Sequence, residues 1–201
     1  MIALALMLAL GTSDWARGAS LPRDEMAAYG ACTARKYEKV ARAYVLKAGE
    51  GWKSPQPYMV LGANACATGA VSFEPMIMAY ILADALLKQE HLLDKAPAFE
   101  NVAAIRHPWV ESKFPKDASF RSASIMGECV ARQSPAAACM LLSTRVKSAE
   151  ESNAFAQLES TVGKCAATDA DKFNATIVRG AVAVAYYRLM RVGSTARADK
   201  N

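Results

Sequence analysis

The sequence predicts an all-α fold made of two duplicated helical halves, each with three to four helices and one disulfide. Alanine makes up about a fifth of the 201 residues, and alanine is the strongest helix former. Apolar residues recur at helical spacing along much of the chain. A cysteine-containing motif also occurs twice, about 100 residues apart. These three observations together favour helical halves over any sheet architecture.

Composition excludes several classes of protein. Hydrophobic residues make up 53% and charged residues 21%, with 11 Gly and 8 Pro, so disordered, collagen-like and polytopic membrane chains are excluded. The net charge of +5 arises in the second half of the chain. Because its basic residues are scattered and not interleaved with aromatics, we expect ordinary solubility charge and no nucleic-acid partner; an anionic envelope partner is the alternative.

The N-terminus predicts export. Residues 2–10 form an uncharged apolar run that is too short for a bilayer-spanning helix, which needs about 20 residues. Cleavage after Gly18 would leave the small residue Ala16 at position −3, so we predict a signal peptide over 1–18 and a periplasmic or secreted mature chain. No stable membrane insertion is expected after cleavage. Because no Lys or Arg precedes the run, a buried N-terminal helix is the alternative.

An internal repeat is the clearest signal in the mature chain. Gly-x-Cys-x-Ala-Arg occurs at Gly30–Arg35 and again at Gly127–Arg132. Cys66 matches Cys165, and four further pairs match at an offset of 100: Phe73/Phe173, Ile77/Ile177, Ala83/Ala183 and Ala85/Ala185. A period this long does not fit a solenoid, so we predict two homologous halves; chance agreement of the common alanines is the alternative.

The repeat and the turn residues give a predicted organisation in five parts. They are the signal peptide 1–18, the first helical half 19–95, a Pro-containing linker 96–118, the second helical half 119–192 and a polar tail 193–201.

In the first half, the spacing of apolar residues over 37–45 predicts an amphipathic helix. From Phe73 to Leu87 only Glu74 and Asp84 are charged, which predicts a helix buried on most sides.

In the second half, Ser134-Pro135 marks a helix start. Ser148–Glu151 is a capping-box pattern, in which hydroxyl and carboxylate satisfy each other's exposed N–H groups. A second apolar helix is predicted over 173–192.

Five cysteines in an exported chain indicate oxidising surroundings. Spacing alone leaves the pairing open, but in the predicted repeat each half has one cysteine on its first helix and one at the end of its third. We therefore predict the disulfides Cys32–Cys66 and Cys129–Cys165. Cys139 has no counterpart and lies among apolar residues, so we predict a buried inert thiol in preference to a nucleophile.

Two charged residues interrupt the apolar helices. Asp84 is the only charge between Met76 and Leu87, and Arg179 interrupts the matching helix of the second half. A lone buried charge is costly, so each needs a partner or a route to water. The sequence leaves two alternatives: a buried ion pair between Asp84 and Arg179, or two side chains that reach solvent along a narrow polar stripe.

Motifs that carry chemistry are lacking from the sequence. His91 and His107 are 16 residues apart and do not have metal-ligand spacing. The sequence has no Walker loop, nucleophile elbow or dinucleotide fingerprint. We predict no catalytic residue, no metal site and no cofactor.

Four blocks of sequence together carry a resemblance to a family. They are the Gly-x-Cys-x-Ala-Arg block, residues 135–138, Ser148–Glu151 leading to Cys165, and Arg179-Gly180-Ala181 through Tyr187-Arg188-Leu189. The chain resembles hypothetical exported proteins of sphingomonad-type alphaproteobacteria over most of its mature length. The resemblance implies a periplasmic location and no particular activity, and Cys139 departs from an alanine-like position.

These observations favour a periplasmic, non-enzymatic helical module that binds a protein or an envelope component. The alternative is an enzyme or an enzyme inhibitor whose site assembles only in three dimensions. A deep cleft with convergent carboxylates would favour the enzyme, and an apolar groove would favour the binding module.

Overall fold

The computed structural model describes residues 21–47, 66, 73–105, 118–166 and 173–198. Within these residues all regular secondary structure is α-helical, so the predicted all-α class is confirmed. The seven described helices are α1 Arg23–Lys36, α2 Glu38–Lys47, α3 Pro75–Gln89, α4 Ala118–Gln133, α5 Pro135–Ser143, α6 Ala149–Ala166 and α7 Ala175–Ala198.

Helices α3 and α7 pack against each other at the centre of the molecule. Helix α1 packs on α3 and α4 packs on α7, while α2 and α6 lie outside them against α3 and α4. The two central helices are buried without interruption from Met76 to Leu87 and from Ile177 to Leu189. A helix that is apolar on all sides needs neighbours on all sides, which explains why α1, α2, α4 and α5 all pack against this pair.

Glycines allow the close approach of these helices. A Cβ added to Gly30 on α1 would lie 2.6 Å from the carbonyl oxygen of Ile81 on α3, and one added to Gly127 on α4 would lie 2.4 Å from that of Ala181 on α7. Gly30 and Gly127 are the aligned glycines of the predicted repeat, and Ile81 and Ala181 are also aligned. Duplication would produce this matched packing, although duplication itself stays a prediction.

Both predicted disulfides are confirmed. Cys32 bonds to Cys66 with a Cα–Cα distance of 5.7 Å, and Cys129 bonds to Cys165 with one of 5.6 Å. In the chain-entropy model, closing loops of 34 and 36 residues contributes about 4 kcal/mol each. Each bond therefore fixes the first helix of a predicted half to a later part of that same half.

The segment before α4 is held by the second repeat motif. Arg132 donates to the carbonyl oxygens of Phe99, Val102 and Ala103 at 2.8–2.9 Å. Glu128 accepts the N–H of Ile105 at 3.0 Å and the Nε–H of Arg132 at 2.8 Å. Within the predicted linker 96–118, residues 96–105 contain no helix and are fixed to α4 by these bonds, while Ala118 is already the first residue of α4.

Some boundaries differ from the predicted ones. Helix α7 continues to Ala198 through the predicted polar tail, because a single glycine costs a helix only about 1 kcal/mol and alanine and arginine both favour it. Helix α3 begins at Pro75 with Glu74 as its N-cap. The predicted signal peptide 1–18 lies outside the described residues. No helix in the described part of the chain has the length and apolarity needed to cross a bilayer.

Replacing Gly127 with alanine is expected to lower the free energy of unfolding by about 1–3 kcal/mol, because the new methyl group would push α4 away from α7. Urea melts of the oxidised protein measure this. Gly163 on α6 is a matched control, since an added Cβ there meets nothing within 4 Å. Gly163→Ala should raise stability by about 0.5–1 kcal/mol. Equal effects of the two changes would contradict the close approach.

Candidate functional site

Asp84 and Arg179 meet in the core between α3 and α7. Arg179 donates from Nε and Nη2 to Asp84 Oδ1 at 3.0 and 2.8 Å. The two residues are 9% and 4% exposed, and Asp84 Oδ2 also accepts from Lys88 Nζ at 2.9 Å. The sequence left open either a buried pair or two side chains that reach solvent separately. The structure shows the buried pair, and Lys88 links it to solvent.

The rest of the Arg179 guanidinium binds the C-terminal end of α5. Its nitrogens donate to the carbonyl oxygens of Leu141, Leu142 and Thr144 at 2.9–3.1 Å, and to Thr144 Oγ1 at 3.0 Å. The last carbonyls of a helix lack intrahelical partners and carry partial negative charge. Arg179 thus satisfies them while finding acceptors for its own buried donors.

Glu151 on α6 is the second carboxylate of this network. It is 3% exposed and accepts from Arg179 at 3.0 Å and from both terminal nitrogens of Arg23 at 3.1 and 2.8 Å. Burial raises the pKa of the Glu151 carboxyl, but the hydrogen bonds from Arg23 and Lys147 N–H and the charges of both arginines outweigh burial and leave the pKa below its ordinary value. Glu151 therefore holds a negative charge between two arginines.

The predicted capping box forms only in part. Ser148 Oγ accepts the Glu151 N–H at 3.1 Å, as predicted. The Glu151 carboxylate, however, accepts the N–H of Lys147 at 2.8 Å. The N–H of Ser148, which a complete capping box would use, donates to Arg145 O instead. The two arginines draw this carboxylate away from its own helix end, a role that the local motif could not indicate.

The network has little open space beside it. A cavity of about 40 Å³ adjoins Arg23, Tyr80, Asp84 and Arg179, enough for a few water molecules only. The Tyr80 ring fills the volume next to Gly180, where an added Cβ would lie 2.3 Å from a ring carbon. These charges are therefore structural: they join α1, α3, α5, α6 and α7 and leave no room for a ligand.

A second set of charges, which sequence reasoning missed, lies at an open cleft. We call this the arginine cleft; it is lined by Glu38, Arg42, Gln89, Glu90, Leu92 and Arg191. Its volume is about 390 Å³, within the range of small-molecule sites. The cleft lies where α2, the C-terminal end of α3 and α7 come together.

The end of α3 places Glu90 and Leu92 at the cleft. The N–H of Leu92 donates to Leu87 O at 3.0 Å and that of His91 to Lys88 O at 3.3 Å, which is the hydrogen-bond pattern of a Schellman motif. His91 takes the left-handed conformation, with φ 53°, and is exposed. The chain reverses there, so Glu90 and Leu92 both line the cleft.

Glu90 is the centre of the cleft. Its side chain is 8% exposed; Oε1 pairs with Arg42 Nε at 2.8 Å, and Oε2 pairs with Arg191. The Tyr187 hydroxyl donates to Glu90 Oε1 at 3.0 Å, and the Arg191 guanidinium lies 5.2 Å from the centre of the Tyr187 ring, a cation–π distance. Two guanidiniums are thus held around one carboxylate.

Glu38 completes the cleft from the solvent side. Its carboxylate pairs with Arg42 Nη2 at 2.5 Å, one helical turn away, and its side chain is 43% exposed. Burial lowers the pKa of Arg191, and the positive charge of Arg42 lowers it further, while Glu38 opposes the shift. The two guanidiniums are therefore close enough to repel each other.

Cys139 is buried and is the free cysteine of the chain. Its thiol donates to Leu93 O at 3.2 Å. Burial raises the pKa of the Tyr186 hydroxyl, and the adjacent Cys139 thiol raises it further. The predicted burial of the thiol is confirmed, and its inertness stays a prediction.

Of the two histidines, His91 is exposed after the end of α3, and His107 lies outside the described residues. Within the part of the chain that the structure covers, no three His, Cys, Asp or Glu side chains gather in a way that could hold a metal ion. Comparison of the chain with protein-family models, with curated proteins and with solved structures finds no match.

Asp84→Ala is expected to lower the free energy of unfolding by about 3–5 kcal/mol, because Arg179 would stay buried without its closest carboxylate. The double variant Asp84→Ala/Arg179→Met should recover part of this loss. Denaturant melts of the single and double variants measure the coupling. Asp94→Ala, at an exposed position, is the control and should change stability by less than about 0.5 kcal/mol. Strictly additive losses at residues 84 and 179 would contradict the pairing.

Proposed function

We propose that the protein is an exported, non-enzymatic helical module that binds a protein or envelope component of the periplasm through the arginine cleft. The observation that carries this proposal is the pair of guanidiniums held around the buried Glu90 at an opening of about 390 Å³. Arginines fixed in this way recognise charged, planar groups on a partner.

The chemistry of the cleft supports binding over catalysis. Two carboxylates converge there, but Glu38 and Glu90 each pair with Arg42, and Glu90 pairs with Arg191 as well. Each carboxylate faces a guanidinium, an arrangement that orients a bound group.

Export is supported by the apolar run over residues 2–10 and by the two disulfides. Disulfides persist in oxidising compartments and are rare in the cytosol. The duplicated halves, if they share an origin, give the module its two central helices, one from each half, and the cleft forms where those helices meet α2.

A photo-reactive amino acid in place of Leu92 tests the binding function in cells that export the protein. Because Leu92 lines the cleft, a bound protein or envelope polymer should give a discrete cross-linked species. Arg42→Gln should reduce its yield severalfold. Arg35→Gln, on the exposed face of α1, removes the same charge away from the cleft and should leave the yield unchanged. A lack of cross-linking, or equal yields from both variants, would overturn the proposal.

The mature chain recovered from the periplasm is expected to begin at Ala19. Cleavage after Gly18 removes the apolar run and leaves a chain that starts four residues before α1. Intact-mass measurement of the periplasmic protein gives the position directly. Recovery of a species that retains residues 1–18 would contradict cleavage at this site.

A further inference from the structure

The geometry points to a carboxylate as the group that the arginine cleft binds, with the ligand carboxylate replacing Glu38 on Arg42. This inference rests on the proposed function, because it names the chemistry of the ligand at the same cleft. The argument depends on which of the charges around Arg42 are fixed and which can be exchanged.

Glu90 is the fixed charge. Its side chain is 8% exposed; Oε1 accepts a hydrogen bond from the Tyr187 hydroxyl, and the two oxygens form ion pairs with Arg42 and Arg191, while Oε2 and Arg42 Nε have no hydrogen-bond partner among the described residues. Removing any of these three groups would leave a nearly buried carboxylate short of a partner, which is costly. Glu90 therefore stays in place when a ligand binds.

Glu38 is the exchangeable charge. It lies one turn before Arg42 on α2, its side chain is 43% exposed, and it pairs through a single arginine nitrogen, Nη2. Exposed ion pairs of this i, i+4 type contribute little to stability, because water solvates both groups when they separate. Glu38 can turn to solvent at low cost and free the outer edge of the Arg42 guanidinium.

The field in the cleft then favours an incoming anion. Without Glu38, Arg42 keeps its pairing with Glu90 while the nearby Arg191 guanidinium repels it. An added anion restores the charge that Glu38 withdraws. A planar carboxylate matches the fork of an arginine, and Glu38 shows that a carboxylate oxygen can pair with Arg42 Nη2 from the solvent side.

A phosphate suits the cleft less well. A phosphomonoester carries about −1.5 to −2 charges near pH 7, more than the single charge of the Glu38 carboxylate that it would replace on Arg42. The buried Glu90 carboxylate lies next to the same arginines and would repel the excess. Leu92 adds an apolar wall, against which the carbon attached to a carboxylate can pack.

Titration of the ¹⁵N-labelled protein with sodium acetate, at ionic strength held constant with sodium chloride, tests the inference. Saturable shifts are expected at the amides of Arg42, Glu90 and Leu92. Arg42→Gln should abolish them. Glu38→Gln should tighten binding at least about twofold, since it removes the competing carboxylate.

Arg42→Gln and Glu38→Gln are expected to change the acetate affinity in opposite directions, and a control variant distinguishes exchange from a general charge effect. Glu25→Gln, exposed on α1, removes one negative charge elsewhere and should leave the acetate affinity within error of the wild type. Acetate binding that is unchanged in Arg42→Gln, or no tighter in Glu38→Gln than in Glu25→Gln, would overturn the exchange. Sodium phosphate that binds at the cleft as tightly as acetate would overturn the assignment to a carboxylate.

Two larger probes identify the source of the carboxylate. N-acetylalanine represents a peptide C-terminus and hexanoate represents an acyl chain. Arg42-dependent binding of either one supports the inference and assigns the source, and failure of both to compete with acetate overturns it. If cross-linking at position 92 depends on Arg42 while acetate does not bind, the binding function stands and the carboxylate assignment falls. If acetate binds at the cleft while cross-linking at position 92 does not depend on Arg42, the carboxylate assignment stands and the binding function falls.

Discussion

The burial of one guanidinium organises this protein. Arg179 lies inside the central helix α7, where an unpaired cation would be intolerable, and its donors find acceptors on Asp84, on Glu151 and on the last carbonyls of α5. Each acceptor belongs to a different helix, so α3, α5 and α6 are all positioned by the same side chain. Glu151 passes the constraint on to α1 through Arg23. The direction and spacing of these bonds fix one arrangement of the helices. Apolar contacts alone would define that arrangement less closely.

The arginine cleft depends on the same pair of helices. Helices α3 and α7, joined in the core by Asp84 and Arg179, meet again at Glu90 and Arg191. In the core the guanidinium is enclosed by acceptors and has no space beside it for a ligand. At the cleft the guanidiniums are about a third or more exposed, and they line an opening to solvent. Similar pairs of charges therefore stabilise the fold in one place and remain accessible in the other.

Much of the fold could be predicted because its signals are local or repeated. The alternate placement of cysteines in two similar segments gave the disulfide pairing, and the lack of charge around Asp84 gave the burial of α3. The partner of Asp84 stayed open, because the sequence does not say at which residue two helices cross. Glu151 looked like a capping residue, since its link to Arg23 joins positions 128 residues apart. No motif in the sequence connects Glu90 with Arg191, and only the packing of three helices brings them into one cleft.

The disulfides also determine how the polypeptide could be divided. Neither bond joins the part of the chain before residue 105 to the part after residue 118, so those two parts are held to each other by packing and by ionic contacts. Arg23 and Asp84 belong to the first part, and Glu151 and Arg179 to the second. Two separately made polypeptides cut between these positions would each retain their own cross-link and would each expose charges that only the other can neutralise. The molecule thus has the chemistry of a heterodimer whose subunits are connected by a single stretch of backbone.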